Sequence, residues 1–256
     1  MSNPVTGSQP GAVGSLAKGL LVLESLSTCH RVTDIAHSTG LAVSSVHRIL
    51  TSLRELGWVY QDGSKVYSPG ARLMGLAGVI AEDSDHGRSI REVLRPLVDS
   101  TGYTMHYATL QGYELVYVAK LEGDRSYRMR SRVGMSIPLH TTAIGKAILA
   151  SMSPTQARQA ITQTGLRKIT DKSITTQSEL FRALELIQKD GWALDDGENE
   201  DGTRCIGVAV LNSRGMAVGG VSLSALAYDL EFERAAELAP LVVAIAARLR
   251  SAFSQS

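Results

Sequence analysis

Two groups of residues have the types and spacing to do chemistry. Ser44, Ser45, His47, Arg48 and Thr51 lie within two helical turns. They fall opposite Val46, Ile49, Leu50 and Leu53, apolar residues recurring at i, i+3, i+4 and i+7. Small side chains let a helix end enter a DNA major groove, and hydroxyls and N-terminal amides take phosphates. The Arg48 guanidinium can bond a guanine edge or a phosphate. The second group begins at Thr142-Ala143-Ile144-Gly145, the head of an apolar helix. Its free amides and the positive end of its dipole make a site for a carboxylate. Ser222 and Ser224, two apart on a β-rich run, face the same way and can donate to a second oxygen.

The elements around the first group read as a helix-turn-helix. Ser15 is placed to cap a helix with Leu16, Leu20, Leu23 and Leu26 on one stripe. Thr33-Asp34-Ile35-Ala36 opens a short second helix with a capping hydroxyl and an acid in its first turn. That helix must stop at Thr39-Gly40, where glycine supplies the left-handed residue, and the third helix follows after Leu41. Gly57–Gln61 and Lys65–Ser68 are β-rich runs flanking Asp62-Gly63-Ser64, a hairpin signal in the position of a wing. Residues 15–70 are thus expected to form a winged helix-turn-helix domain. Its expected DNA contacts are Ser15, Lys18, Ser44, Ser45, His47, Arg48, Thr51, Lys65 and Tyr67.

Residues 71–87 are expected to form a linker helix, apolar from Ala71 to Ala81 and broken by the acidic Glu82–Gly87 run. Residues 88–256 read as an effector-binding domain. A helix is expected over Ser89–Ser100, then strands over Thr104–Leu110 and Tyr113–Lys120. Tyr127–Val133 alternates with Arg128, Arg130 and Arg132 and is expected to be a half-buried strand. Helices follow at Ala143–Ala150 and Thr176–Asp190, strands at Trp192–Asp196, Arg204–Leu211 and Ala217–Ala225, and a closing helix at Asp229–Phe253. Antiparallel strands with packed helices make this domain α+β.

Composition removes other classes. The 256 residues carry a net charge of +1, and residues 1–80 hold six Lys or Arg against four acids, so the DNA reading rests on pattern rather than bulk charge. No apolar run approaches the ~18 residues that span a bilayer. Residues 1–14, rich in Gly, Pro and Ser, lack the blocks of a signal peptide and are expected to be a disordered arm of a cytoplasmic protein. Cys29 and Cys205 form no CxxC pair and have no histidine at metal spacing, so neither a metal nor a disulfide is expected. No cofactor motif is present: Ile144-Gly145-Lys146-Ala147 fails as a P-loop, since His140 stands where the first glycine belongs and no Ser or Thr follows Lys146. An enzyme acting on a small acid would need a Cys–His site from Cys205, His106 and His140, which their spacing does not support. Hence no catalytic residue is expected.

The whole pattern resembles the IclR family of bacterial transcription regulators. The motifs that carry the resemblance are SLAKGLLVLESL (15–26), TDIAHSTGLAVSSVHRILTSLRELGWV (33–59), RVGMSIPLHTTAIGKAILA (132–150), DDGENEDGTRCIGVAV (195–210) and GGVSLS (219–224). The resemblance implies a GAF-like antiparallel sheet in the effector domain, and homodimers or dimers of dimers on palindromic operator DNA. It also implies a repressor of a catabolic operon governed by a small carboxylate. The sugar-acid-sensing, KdgR-like branch resembles this chain most, with an activator of aromatic-acid catabolism as the alternative. By the same resemblance, the amides of Ala143 and Ile144 contact the anion, and Asp195, Cys205, Ser222 and Ser224 line the effector site. An ionised Asp195 would accept from a ligand hydroxyl, and Met105, Tyr107 and Met129 are expected on the apolar wall. Structural roles stay open for these residues: the serines can satisfy each other, Asp195 can cap or pair, and Cys205 can be a small core residue. Two positions depart from the family pattern: Tyr103 replaces a glutamate, and Gly207–Val210 lacks a proline.

Overall fold

The structure, a computed structural model, describes residues 14–82, 85–125 and 127–253. The arm expected over 1–14 therefore lies outside the described residues, apart from Gly14. The chain divides into two compact units, Met1–Ser84 and Asp85–Ser256.

The first unit contains α1 (Ser15–Ser25), α2 (Val32–Thr39), α3 (Val43–Glu55), a hairpin of β1 (Val59–Gln61) and β2 (Tyr67–Pro69), and α4 (Ala71–Glu82). Val22, Leu26, Ile35, Ala36, Val46, Leu50, Val59 and Tyr67 form its core, with Ile49 and Leu53 packed against it. Gly40 ends α2 at φ 68°, the left-handed conformation its position requires. The first two helices begin differently from the sequence reading. Gly14, not Ser15, caps α1, and α1 turns Val22 inward while Leu16 is 79% exposed. Arg31 precedes α2 in extended conformation, and the Thr33 hydroxyl bonds Asp34 instead of capping.

The second unit is a six-stranded antiparallel sheet in the order β5-β4-β3-β8-β7-β6. Its strands are β3 (Thr104–Gln111), β4 (Glu114–Leu121), β5 (Ser136–Ile137), β6 (Ala193–Asp196), β7 (Thr203–Leu211) and β8 (Ala217–Leu226). Helices α5 (Asp85–Thr101) and α9 (Phe232–Phe253) cover one face, and α6 (Ala143–Ser151), α7 (Pro154–Thr164) and α8 (Gln177–Asp190) cover the other. Period-two alternation decides what each face receives. Met105, Tyr107, Ile206, Val208, Val221 and Leu223 pack with α5 and α9. The residues between them, among them His106, Cys205, Gly207, Ser222 and Ser224, face the α6 side. Met105 and Tyr107, expected on the ligand wall, are therefore core residues of the opposite face, because the phase of β3 turns His106 toward the serines.

The expected strand over Tyr127–Val133 does not form. The segment is an irregular strap with Arg128, Arg130 and Arg132 all exposed. Its carbonyls find a cation instead of a neighbouring strand: Lys120 Nζ donates to Met129 O at 2.8 Å and Ser131 O at 2.7 Å.

Candidate functional site

The first candidate surface is α3. Val46 and Leu50 are fully buried on one side, which leaves Ser44, His47 and Arg48 exposed and Ser45 and Thr51 half-buried on the other. Thr51 Oγ1 already donates to His47 O at 2.9 Å. The residue before α3 is Ala42, which offers no capping oxygen, so the head of the helix keeps donors for an incoming anion. In the wing, Asp62 Oδ1 accepts from the amides of Ser64 and Val66, both at 2.9 Å, and presents exposed Lys65 at φ 59°. Ser15 is exposed and Lys18 half-exposed on α1. Tyr67 does not join this surface. It is 3% exposed in the core, and its amide donates to His30 O at 2.8 Å, because β2 turns alternate residues inward.

The second candidate site is a cavity of about 50 Å³ between the sheet and the head of α6. Of the residues picked out by sequence, it gathers Met129, Ala143, Ile144, Asp195, Cys205, Ser222 and Ser224. Sheet register builds its floor. Asp195, Cys205, Ser224 and Thr104 stand opposite one another across β6, β7, β8 and β3, and Gly207, Ser222, His106 and Lys120 form the next row across β7, β8, β3 and β4. Gly207 is what admits the helix. A Cβ there would lie 2.5 Å from Ile144 N and would overlap the backbone of Ala143 as well. At the head of α6, Thr142 Oγ1 accepts from the Gly145 amide at 3.1 Å and Thr142 O from the Lys146 amide at 2.9 Å. The Ala143 and Ile144 amides have no such partner among the described residues and stand at the positive end of the helix dipole, within the cavity wall.

His106, weighed in the sequence only as a catalytic partner of Cys205, is one of several cavity residues outside the expected effector set, with Tyr117, Ser131, Asn199 and Thr203. It is 1% exposed, with Nε2 at 2.7 Å from Ser131 Oγ and Nδ1 at 3.4 Å from Ser224 Oγ, and its ring rests 4.7 Å from that of Tyr117. Burial, reinforced by the Lys120 charge, pushes its imidazole down to about 3, so it is a neutral hydrogen-bonding group. Only the register reveals it: a residue directly opposite Ser222 in an antiparallel sheet shares its face, and that pairing spans more than a hundred residues of sequence.

Asp195 departs from the ionised acceptor expected of it. Burial, then the neighbouring Glu198 carboxylate, pushes it up to about 7, against the opposing pull of Lys146 and two amides. Its Oδ1 accepts from the amides of Glu198 at 2.8 Å and Asn199 at 3.4 Å, so it shapes the turn leaving β6. The buried Lys146 Nζ ties down the same turn by donating to Glu198 Oε1 and to Leu194 O. At the rim, Glu200 pairs with Arg130 at 3.4 Å and accepts from Tyr127 Oη at 3.2 Å. Burial, with Asp195, pushes the Cys205 thiol up, the opposite of what a nucleophile needs. The arrangement can bind: an oxyanion at the head of α6, with hydroxyls or carbonyls over the two polar rows.

Comparison with known proteins places both units. Residues 15–63 match the IclR helix-turn-helix domain, and residues 83–251 match the C-terminal domain of bacterial transcriptional regulators of the IclR type. The HTH-type transcriptional regulator KdgR of Dickeya chrysanthemi is 32% identical over 84% of this chain and 72% of its own length. The transcriptional repressor IclR of Escherichia coli is 25% identical over 95% and 91%. The crystal structure of Thermotoga maritima IclR superposes with a TM-score of 0.75 at 30% identity, covering 93% of this chain and 98% of that one.

Proposed function

The chain belongs to the IclR family of ligand-responsive, DNA-binding transcriptional regulators, and from that premise we propose that it represses a catabolic operon and is released by a sugar acid or related hydroxylated carboxylate. The observation that carries the ligand class is the pairing of the α6 head with the hydroxyls and the neutral imidazole of the sheet floor. The amides of Ala143 and Ile144 take the carboxylate, while Ser222, Ser224 and the neutral His106 meet hydroxyls that an apolar floor would leave unpaired. The repressor sign is supported by the kinship with a repressor across nearly the whole chain. On DNA, Ser44, Ser45, His47, Arg48 and Thr51 enter the groove, with Lys65, Lys18 and Ser15 on phosphates. A homodimer, or a pair of dimers, reads a palindrome in the cytoplasm. We read the cavity as a receptor without turnover. Among the described residues no helix is long and apolar enough to cross a membrane.

Ligand changes operator affinity only through its different affinity for the two conformations of the regulator. The test is binding of the full chain to its own upstream intergenic DNA, titrated with gluconate-type acids, aromatic acids and dicarboxylates. The expected result is specific binding weakened by hydroxylated monocarboxylates, and lowered about 5- to 100-fold by Arg48→Ala at fixed salt. Operator affinity indifferent to every acid would overturn the ligand reading, and response to aromatic acids alone would replace its class.

A further inference from the structure

The wall of the α6 cavity holds less charge than its residue types suggest. Six titratable side chains line it among the described residues: His106, Tyr117, Arg130, Asp195, Glu200 and Cys205. Burial keeps four of them largely uncharged at pH 6. It pushes the Tyr117 hydroxyl and the Cys205 thiol up and His106 down to about 3, and with the Glu198 carboxylate it pushes Asp195 up to about 7. The neighbouring lysines are already engaged. Lys146 Nζ pairs with Glu198, and Lys120 Nζ with Glu122 at 2.9 Å and with two strap carbonyls. What remains is one pair of opposite charges, Arg130 on the strap and Glu200 on the turn after β6.

That pair faces the cavity and the solvent at once. Both residues line the cavity, with the Arg130 side chain 83% exposed and that of Glu200 23%. Glu200 Oε1 takes two strap donors, Arg130 Nε at 3.4 Å and Tyr127 Oη at 3.2 Å. A guanidinium and a phenol converging on one carboxylate oxygen would serve a second ligand carboxylate equally well. Here the protein's own side chain fills the place, and its backbone is pinned there. Glu200 O accepts from the Thr203 amide at 3.2 Å and from the Thr203 hydroxyl at 2.7 Å, and Thr203 is buried. The two residues before Glu200 are held by their amides on Asp195 Oδ1. In a space of about 50 Å³, a second charge on a small acid stays close to every group in the wall. A second carboxylate would therefore share one guanidinium with Glu200, and like charges that close repel strongly where water is scarce.

We propose that Glu200 sets the charge of the ligand: its carboxylate holds the place on Arg130 and Tyr127 that a second ligand carboxylate would take, so the cavity admits monocarboxylates and rejects dicarboxylates. This rests on the reading of the α6 head as a carboxylate site. A ligand hydroxyl at the same place is uncharged and can donate to Glu200, so a hydroxylated monocarboxylate meets no such barrier.

The test compares D-glycerate with tartronate by calorimetric titration of the full chain at pH 6, and reads the ratio of their affinities. The two share a three-carbon skeleton with a central hydroxyl, and differ in a hydroxymethyl group against a second carboxylate. The wild type is expected to favour glycerate about tenfold or more. Glu200→Gln, which keeps the shape and an oxygen for Tyr127, is expected to lower the glycerate-to-tartronate ratio about tenfold. Adding Arg130→Gln to Glu200→Gln is expected to raise the ratio again, about three- to tenfold, because tartronate then loses its guanidinium. A thermal melt and retained operator binding show that each variant is folded. If the wild type binds both acids equally, or if Glu200→Gln leaves the ratio unmoved, the selection by Glu200 is refuted. If the double variant keeps the ratio of Glu200→Gln, the place on Arg130 is refuted and exclusion by the Glu200 charge stands alone. If neither the wild type nor any variant binds either acid, the carboxylate reading falls and takes this one with it.

Discussion

Helices α3 and α6 both present the positive end of a helix dipole, and they present it to opposite surroundings. The head of α3 follows Ala42, has no side-chain cap and lies among exposed Ser44, His47 and Arg48. The head of α6 is capped by Thr142, and every residue from Ala143 to Ala150 is buried. An anion at α3 stays hydrated and screened, so affinity there must come from many phosphates acting together. At α6, water is excluded and a single carboxylate interacts strongly, but only if its remaining oxygens and hydroxyls find partners. One helix end suits a long polyanion, the other a small molecule that fits.

Salt separates the two most widely. If Lys18 and Lys65 sit on phosphates in each half of a dimer, raising salt from 50 to 200 mM is expected to weaken operator binding about 10²-fold through counterion release. Acid binding at the buried α6 head is expected to change less than about twofold. Parallel titrations by anisotropy and calorimetry check this, and equal salt slopes would erase the distinction. The next effect is packing. Gly207→Ala sets a methyl group into the backbone of Ala143 and Ile144, and neither can retreat while α6 is buried on all sides. Overpacking of this kind is expected to cost about 3 kcal/mol and to abolish acid binding, while Gly40→Ala in the first unit strains one left-handed turn and costs about 1 kcal/mol. Differential melts of the two variants check the ranking.

The two regions also differed in how far they could be read from the sequence. In the first unit every relevant pairing is local: Val46 and Leu50 at helical spacing fix which way Arg48 points, and Gly40 fixes where the helix before it stops. What failed there were the caps expected of Ser15 and Thr33, and a phase within a short strand, which put Tyr67 inside. In the second unit the site is assembled by register between strands over a hundred residues apart, such as His106 opposite Ser222. The resemblance supplied most of that floor, but neither His106 nor the inward turn of Met105 and Tyr107 could be had without knowing the phase of β3. The Tyr127–Val133 segment alternates like a strand, yet no ladder is available to it, and Lys120 takes its carbonyls. Helix α7 was missed although Ser153-Pro154-Thr155-Gln156 carries a complete capping box with proline at the first turn. Its apolar positions Ala157, Ala160 and Ile161 are too small and few to make a stripe in sequence.

Asp195 gives the cavity a pH dependence. Its folded-state value of about 7 lies above the ordinary 3.8, so between those limits the folded protein holds a proton that the unfolded chain has released. Stability from this group is full below about pH 4 and is lost as pH rises through 7. His106 runs the other way, losing stability as pH falls from 6.5 toward 3. Comparison with Asp195→Asn, which mimics the protonated carboxyl, cancels the histidine. The advantage of wild type over this variant is expected to decline by about 2 kcal/mol between pH 5 and 8, roughly 5 °C in Tm. A difference that is flat with pH would mean that Asp195 is ionised throughout and is held by its amides alone.

The smallest effect tests the caps themselves. Thr142→Ala removes the oxygen that accepts the Gly145 amide and is expected to cost about 1 kcal/mol of stability. At α3 the opposite change is informative. Ala42→Ser supplies a hydroxyl oxygen to the head of the helix and is expected to add up to about 1 kcal/mol of stability. If the α3 amides are reserved for a DNA phosphate, that same oxygen competes with it, and operator affinity should fall about two- to fivefold even as the melting temperature rises. A variant that is both more stable and binds DNA as well as wild type would show that the open head of α3 takes no part in recognition, which would leave the contrast with α6 one of burial alone.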